Sequence, residues 1–204
     1  MGRDYKDWGD SRDPSRLQVT LCDLDEAVCT ALAEAFQSHH NVRVISQDLV
    51  SLQTDALITA SNSFGDIGGG VDRAIDLACG HRAQPAVQRV IRSEYFGELP
   101  VGSATLVSVD GRQLIVAPTM RIPGSIIGTI NAYLAFRAAL TLIAKRNAGG
   151  AEPIRSVVTT GLGCGVGGLP ADECAVQMEA AYTSIAEGGW VHAVHPALAP
   201  FPLA

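Results

Sequence analysis

Asp55-Ala-Leu-Ile-Thr-Ala-Ser-Asn62-Ser-Phe-Gly-Asp-Ile-Gly68-Gly-Gly70-Val-Asp72-Arg-Ala-Ile-Asp76 runs from an apolar strand, through a polar Asn and three consecutive glycines, into a helix with acids on its first two turns. The nearly continuous apolar character of 55–61 fits a strand covered on both faces, which delivers Asn62 to its carboxyl end. Three glycines strip side chains from the helix entrance. Main-chain N–H groups can then approach a ligand, and the helix dipole favours an anion there. The stretch reads as a phosphate seat.

The flanking sequence alternates strands with helices. Residues 17–21 alternate like a strand, Asp23 and Glu26 suggest a capping box for a helix over 27–37, and 42–46 is a second strand. After the quoted stretch, a helix over 71–79 stops at Gly80 and another spans 86–96 with Val87, Val90, Ile91 and Tyr95 near one face. Strands 104–109 and 112–117 flank Asp110-Gly111, a strong hairpin signal. A long apolar helix over 125–146 ends with Lys145 and Arg146 and is halted by Gly149-Gly150. A strand over 154–160, a glycine-rich loop over 161–169, a helix over 170–186 and a last strand over 190–194 complete the reading. The pattern predicts the α/β class: a three-layer α/β/α sandwich with a mixed central sheet.

Composition narrows the function classes. A chain of 204 residues, 47% hydrophobic, is long enough for one well-buried domain, expected over 17–204. Residues 1–16 are charged and broken by Gly9 and Pro14; they read as a mobile tail without the apolar core of a signal peptide. A net charge of −6 and the lack of any basic run argue against a nucleic-acid partner, because neutralising phosphates takes clustered Lys and Arg. No apolar run reaches membrane length, so no membrane partner is expected. Cys22, Cys29, Cys79, Cys164 and Cys174 show neither Cys-x-x-Cys nor zinc spacing with a His, so no metal is expected. They read as structural thiols in a reducing compartment, and a cytoplasmic location is expected.

Ligands of such sheets settle beyond the carboxyl ends of the strands. Two glycine-rich loops, 62–70 and 161–168, fit that place, and both precede helices. A ligand with two phosphates fits between them, touching mostly backbone donors.

The segment 47–80 carries Gln47-Asp48-Leu49, then Asp55-Ala-Leu-Ile-Thr59-Ala-Ser-Asn62-Ser, then Gly68-Gly69-Gly70-Val71-Asp72. In order, chemistry and ungapped spacing it resembles the macro domain family, whose members bind ADP-ribose. Ala117-Pro118-Thr119, the helix around 131–142 and Thr159-Thr160-Gly161-Leu162-Gly163-Cys164-Gly165-Val166-Gly167-Gly168 have looser counterparts in that family.

The resemblance implies that Asp48 accepts from the adenine amino group while Leu49 offers its backbone or side chain to the ring. The alternative makes Asp48 a turn or cap residue. It further implies that Gly68, Gly69, Gly70 and Val71, with Gly161, Gly163, Cys164, Gly165, Val166 and Gly167, hold the diphosphate and the far ribose. Asn62 and Asp72 match residues that act together in MacroD-type hydrolases, Asn62 orienting that ribose and Asp72 positioning water or stabilising charge. The implied activity is hydrolysis of mono-ADP-ribose from proteins, or of a related ADP-ribose derivative, with no cofactor. The alternative is a non-catalytic reader of ADP-ribose. The partner is ADP-ribose itself or an ADP-ribosylated protein.

The chain departs from that pattern at several points. Thr59 replaces the first Asn of the strand end, Arg73 replaces a small residue, and Asp76 stands where those hydrolases carry His. Asp72 and Asp76 lie one helical turn apart and could repel each other. The loop 161–170 lacks the aromatic that many hydrolases place against the far ribose, a role Phe64 could partly fill. Neither Lys6 nor Lys145 falls near a site loop, which argues against a Lys nucleophile. Cys164 is either a thiol activated near a helix entrance or a small apolar filler. Gly163-Cys-Gly165-Val-Gly167-Gly168 formally matches Gly-x-Gly-x-x-Gly, but it lies too near the carboxyl terminus for the βαβ unit and ribose-binding acid that motif demands.

Overall fold

The computed structural model describes residues 17–192, 195 and 198–201, so the tail expected over 1–16 lies outside the described residues. The elements are β1 (Gln18–Asp23), α1 (Glu26–Ala35), β2 (Val42–Ser46), β3 (Ala56–Thr59), α2 (Gly70–Ala78), α3 (Ala83–Tyr95), β4 (Thr105–Val109), β5 (Arg112–Val116), α4 (Asn131–Ala148), β6 (Ser156–Thr159) and α5 (Ala171–Ile185). The sheet order is β2-β1-β6-β3-β5-β4. All neighbours pair in parallel except the β4–β5 hairpin, whose Asp110 and Gly111 both take positive φ, as a type I′ turn requires.

Burial on both faces explains why the inner strands read as unbroken apolar runs. On β3, Ala56 and Ile58 point into a core shared with α1, α4 and α5, while Leu57 points into a second core under α2 and α3. This is the expected α/β/α sandwich with a mixed sheet. Five strands run the same way, so their carboxyl ends open on one edge.

Three local expectations differ from the structure. The cap of α1 is Asp25, whose carboxylate accepts from the Ala27 N–H at 2.8 Å; Asp23 instead accepts from Asp25 N at 3.1 Å and Gly161 N at 3.2 Å. Helix α4 begins at Asn131 rather than 125, because the Ile126 N–H is held by the Gly167 carbonyl at 2.9 Å and Gly128 takes φ +74°. The last strand is not formed. Gly188 takes φ +75° just after α5, Val191 N bonds back to the Gly188 carbonyl at 3.1 Å, and Gly189–His192 curls into a 3-10 turn. Residues 193–194 of that expected strand lie outside the described residues.

Candidate functional site

The carboxyl ends of all five parallel strands border one cleft of about 540 Å³. Asp23 ends β1, Gln47 to Leu49 follow β2, Ala60 to Asn62 follow β3, Thr119 and Met120 follow β5, and Thr160 and Gly161 follow β6; all line it. The two glycine loops face each other across it. Val166 Cγ2 stands 3.7 Å from where a Cβ on Gly69 would be, so the loops converge on one volume. A third wall, 120–130, is pinned to the second loop through Ile126, whose Cδ1 leaves only 2.4 Å for a Cβ on Gly163.

The donor inventory divides the expected glycines. Gly68 N–H is taken by Asp66 Oδ1 at 3.1 Å, and Gly161 N–H by Asp23 Oδ2 at 3.2 Å. By contrast, α2 opens at Gly69 with no side-chain cap, and no described residue takes the N–H groups of Gly69, Gly70 or Val71. On the second loop the N–H groups of Gly163, Gly165, Val166 and Gly167 are likewise untaken by described residues. Uncapped donors at a helix start are an anion seat by geometry and by dipole.

Side-chain charge works against that seat. Among the described residues lining the cleft, Asp23, Asp25, Asp48, Asp66 and Asp72 are acids and none is Lys, Arg or His. Among the described residues, no basic side chain lines the cleft to hold an anion there.

Asn62 and Asp72 both line the cleft. A parallel bridge from Asn62 to Met120 continues the β3–β5 pairing beyond the strands and fixes the Asn62 backbone. Its side chain closes the first loop: Oδ1 accepts from Phe64 N at 3.0 Å and Asp66 N at 3.3 Å, while Nδ2 donates to the Asp66 carbonyl at 3.1 Å. Asp72 Oδ1 accepts from the Thr59 hydroxyl. Burial pushes the Asp72 carboxyl up to about 6; the Thr59 bond offsets this in part, and the negative charge of Asp66 adds to it.

The other expected residues take distinct places. Leu49 is buried on the cleft wall, whereas Asp48 is exposed and caps the following 3-10 turn through Val50 N at 3.1 Å. Cys164 lines the cleft, while the thiol of Cys174 donates to the Leu162 carbonyl at 3.3 Å. Pairing of the two thiols holds Cys164 below its ordinary value and, with burial, pushes Cys174 well up. Phe64 is exposed outside the lining, with the Arg121 guanidinium 5.4 Å from its ring centre. Asp76 does not line the cleft. Its carboxylate receives Gln84 N at 3.0 Å at the start of α3 and faces His81 Nδ1 at 3.1 Å, so the acid acting on Asp72 is Asp66 instead.

Asp23, Asp25 and Asp66 were not among the residues expected at the site. The signal for Asp66 is present in the sequence: Asp-x-Gly before a helix is the pattern of a side chain receiving the N–H two residues on. The Thr59–Asp72 bond spans strand and helix, and no local spacing announces it.

Comparison with known proteins adds the following. The model of a family described as Macro domain matches residues 58–178. An uncharacterized protein of Aeropyrum pernix is 35% identical over 146 residues, 70% of each chain. An O-acetyl-ADP-ribose deacetylase of Escherichia fergusonii is 38% identical over 65 residues, 32% of this chain and 36% of that protein. Among solved structures, the macrodomain of Mycobacterium tuberculosis DarG superposes with a TM-score of 0.55 at 22% identity, covering 69% of this chain and 88% of that one. Among the described residues, no helix is long and apolar enough to cross a membrane.

Proposed function

The chain belongs to the macro domain family, and from that membership we propose that its cleft binds ADP-ribose and hydrolyses the bond joining mono-ADP-ribose to a protein or to a related acceptor. The observation that carries this reading is the convergence of two sets of untaken N–H groups on one cleft, with Asn62 and Asp72 on the same walls. The short matching segment of the Escherichia fergusonii enzyme, which acts on an ADP-ribose ester by its name, supports the substrate class.

In this reading the diphosphate lies between Gly69–Val71 and Gly163–Gly167, and Asp48 and Leu49 meet the adenine. The far ribose comes up against Asp72. Above pH 6 the Asp72 carboxylate takes a proton from water as that water bonds to the anomeric carbon. The bond to the acceptor atom breaks, and the acceptor leaves with the electron pair and gains a proton.

One observation favours the reader alternative. The Asn62 amide is engaged with its own loop, which leaves it little capacity to orient a ribose hydroxyl. Calorimetry and turnover decide between the two. ADP-ribose is expected to bind, and no heat at about millimolar ligand overturns both readings. Release of ADP-ribose from a mono-ADP-ribosylated protein supports hydrolysis; binding without release assigns the cleft to recognition alone.

The charge of the lining makes a second prediction. With five acids and no basic side chain among the described residues that line the cleft, repulsion of the diphosphate is screened as salt is added. Affinity for ADP-ribose is expected to rise a few-fold between about 20 and about 300 mM NaCl, opposite to the usual trend for anion sites built from Lys and Arg. A steep fall in affinity over that range would place a cationic side chain on the diphosphate and overturn the main-chain seat.

A further inference from the structure

Thr59 is buried at the carboxyl end of β3, a central strand paired in parallel with both β6 and β5. Its carbonyl receives Ala117 N at 3.0 Å, and a β-branched side chain on such a strand has little rotational freedom. The hydroxyl is therefore aimed by the sheet. It donates to Asp72 Oδ1 on the first turn of α2, while no described residue bonds Oδ2. Thr59 itself does not line the cleft, whereas Asp72 does.

We propose that Thr59 is a positioning residue: its hydroxyl anchors one oxygen of the Asp72 carboxyl to the sheet, so that the other is presented to the far-sugar end of the cleft. The proposal rests on the ADP-ribose reading and adds a second residue to its chemistry. It also gives a role to the departure at this strand end, where the family pattern carries Asn. A hydroxyl donor stabilises a carboxylate more than a carboxylic acid, so the same bond governs where Asp72 titrates.

The surrounding charges are few. Asp66 on the preceding loop acts on Asp72. On α2 itself, Arg73 is exposed and Asp76 is engaged by Gln84 and His81. Asp48 caps the 3-10 turn packed on α2. Helix α3, also packed there, follows Arg82, which pairs with Asp110 at 2.7 Å. None of these donates to the carboxyl as Thr59 does.

The test compares wild type with Thr59→Val, which keeps shape and β-branching, and Thr59→Ser, which keeps the donor. Carbon-13 NMR of the Asp72 carboxyl is expected to titrate near pH 6 in wild type and about one pH unit higher in Thr59→Val. Thr59→Ser is expected to return the midpoint toward wild type. Turnover in Thr59→Val is expected to fall at both pH 6 and pH 8, about fivefold further at pH 6, with KM and ADP-ribose affinity within about twofold of wild type. An unmoved midpoint in folded Thr59→Val overturns the proposal. Should Thr59→Val fail to fold, the wild-type Thr59 hydroxyl proton serves: a slowly exchanging resonance that shifts with the Asp72 midpoint supports the anchor, and its absence overturns it. If no variant releases ADP-ribose, the hydrolase reading falls while the NMR titration still judges Thr59.

Discussion

Asp72→Asn is expected to slow release of ADP-ribose by about two orders of magnitude or more and, at the same time, to raise the melting temperature at pH 8. Both effects come from one carboxyl. Its value is pushed from 3.8 to about 6 in the folded protein, first by burial. Between those values the folded chain holds a proton that the unfolded chain has lost. The stabilising contribution is therefore complete below about pH 4 and is lost as pH rises through 6. Above pH 6 the ionised acid burdens the fold by up to about 3 kcal/mol, an upper figure because one oxygen meets cleft water. The isosteric amide keeps an oxygen for the Thr59 hydroxyl and carries no charge.

A gain of about 1–2 kcal/mol, or roughly 3–6 °C for a chain of this length, is expected at pH 8 and about a third of it at pH 4.5, where the unfolded carboxyl is already largely ionised. Thermal melts at both values and a turnover assay read the two effects. Loss of turnover with unchanged melting would leave Asp72 catalytic but unstrained. Raised melting with full turnover would remove it from the chemistry.

Legibility in the sequence followed the range of the physics involved. The strand at 55–61 was readable because burial on both faces leaves a local apolar run, and the hairpin because Asp110-Gly111 needs two positive φ values. The uncapped start of α2 was readable because bare N–H groups there depend on consecutive glycines. Side-chain partners were another matter. Asp76 was expected to disturb Asp72 from one turn away, yet α3 begins within reach and captures its carboxylate through Gln84 N. Asp48 caps the following turn, its Oδ1 receiving Val50 N, as one of its two readings had it, and it still lines the cleft. The start of α4 was misplaced by six residues because Ile126 is held by Gly167, 41 positions on. The misses at Asp76 and at α4 are bonds from outside the helix competing with a local preference.

Gly167→Ala is expected to weaken ADP-ribose binding by about two orders of magnitude, whereas Gly165→Ala, two residues earlier on the same loop, leaves the fold untouched. A Cβ on Gly167 would sit 2.5 Å from the Gly163 carbonyl oxygen and 2.8 Å from Ile126 Cγ1. That carbonyl already receives Leu169 N at 3.1 Å, and Gly167's own carbonyl holds Ile126 N at 2.9 Å. No rotamer change relieves a backbone clash, so the loop or the 120–130 wall must shift, and the N–H groups of 163–167 lose their common aim. At Gly165 no described residue beyond its chain neighbours comes within 4 Å of a built Cβ, and the backbone needs no positive φ. Alanine there is expected to alter stability by less than about 0.5 kcal/mol. Any loss of affinity in Gly165→Ala then reports contact between that methyl and the ligand, since nothing in the protein opposes it. Calorimetry with ADP-ribose beside thermal melts separates the cases. Wild-type affinity in Gly167→Ala would show that the second loop does not hold the diphosphate, and the main-chain seat would shrink to the start of α2.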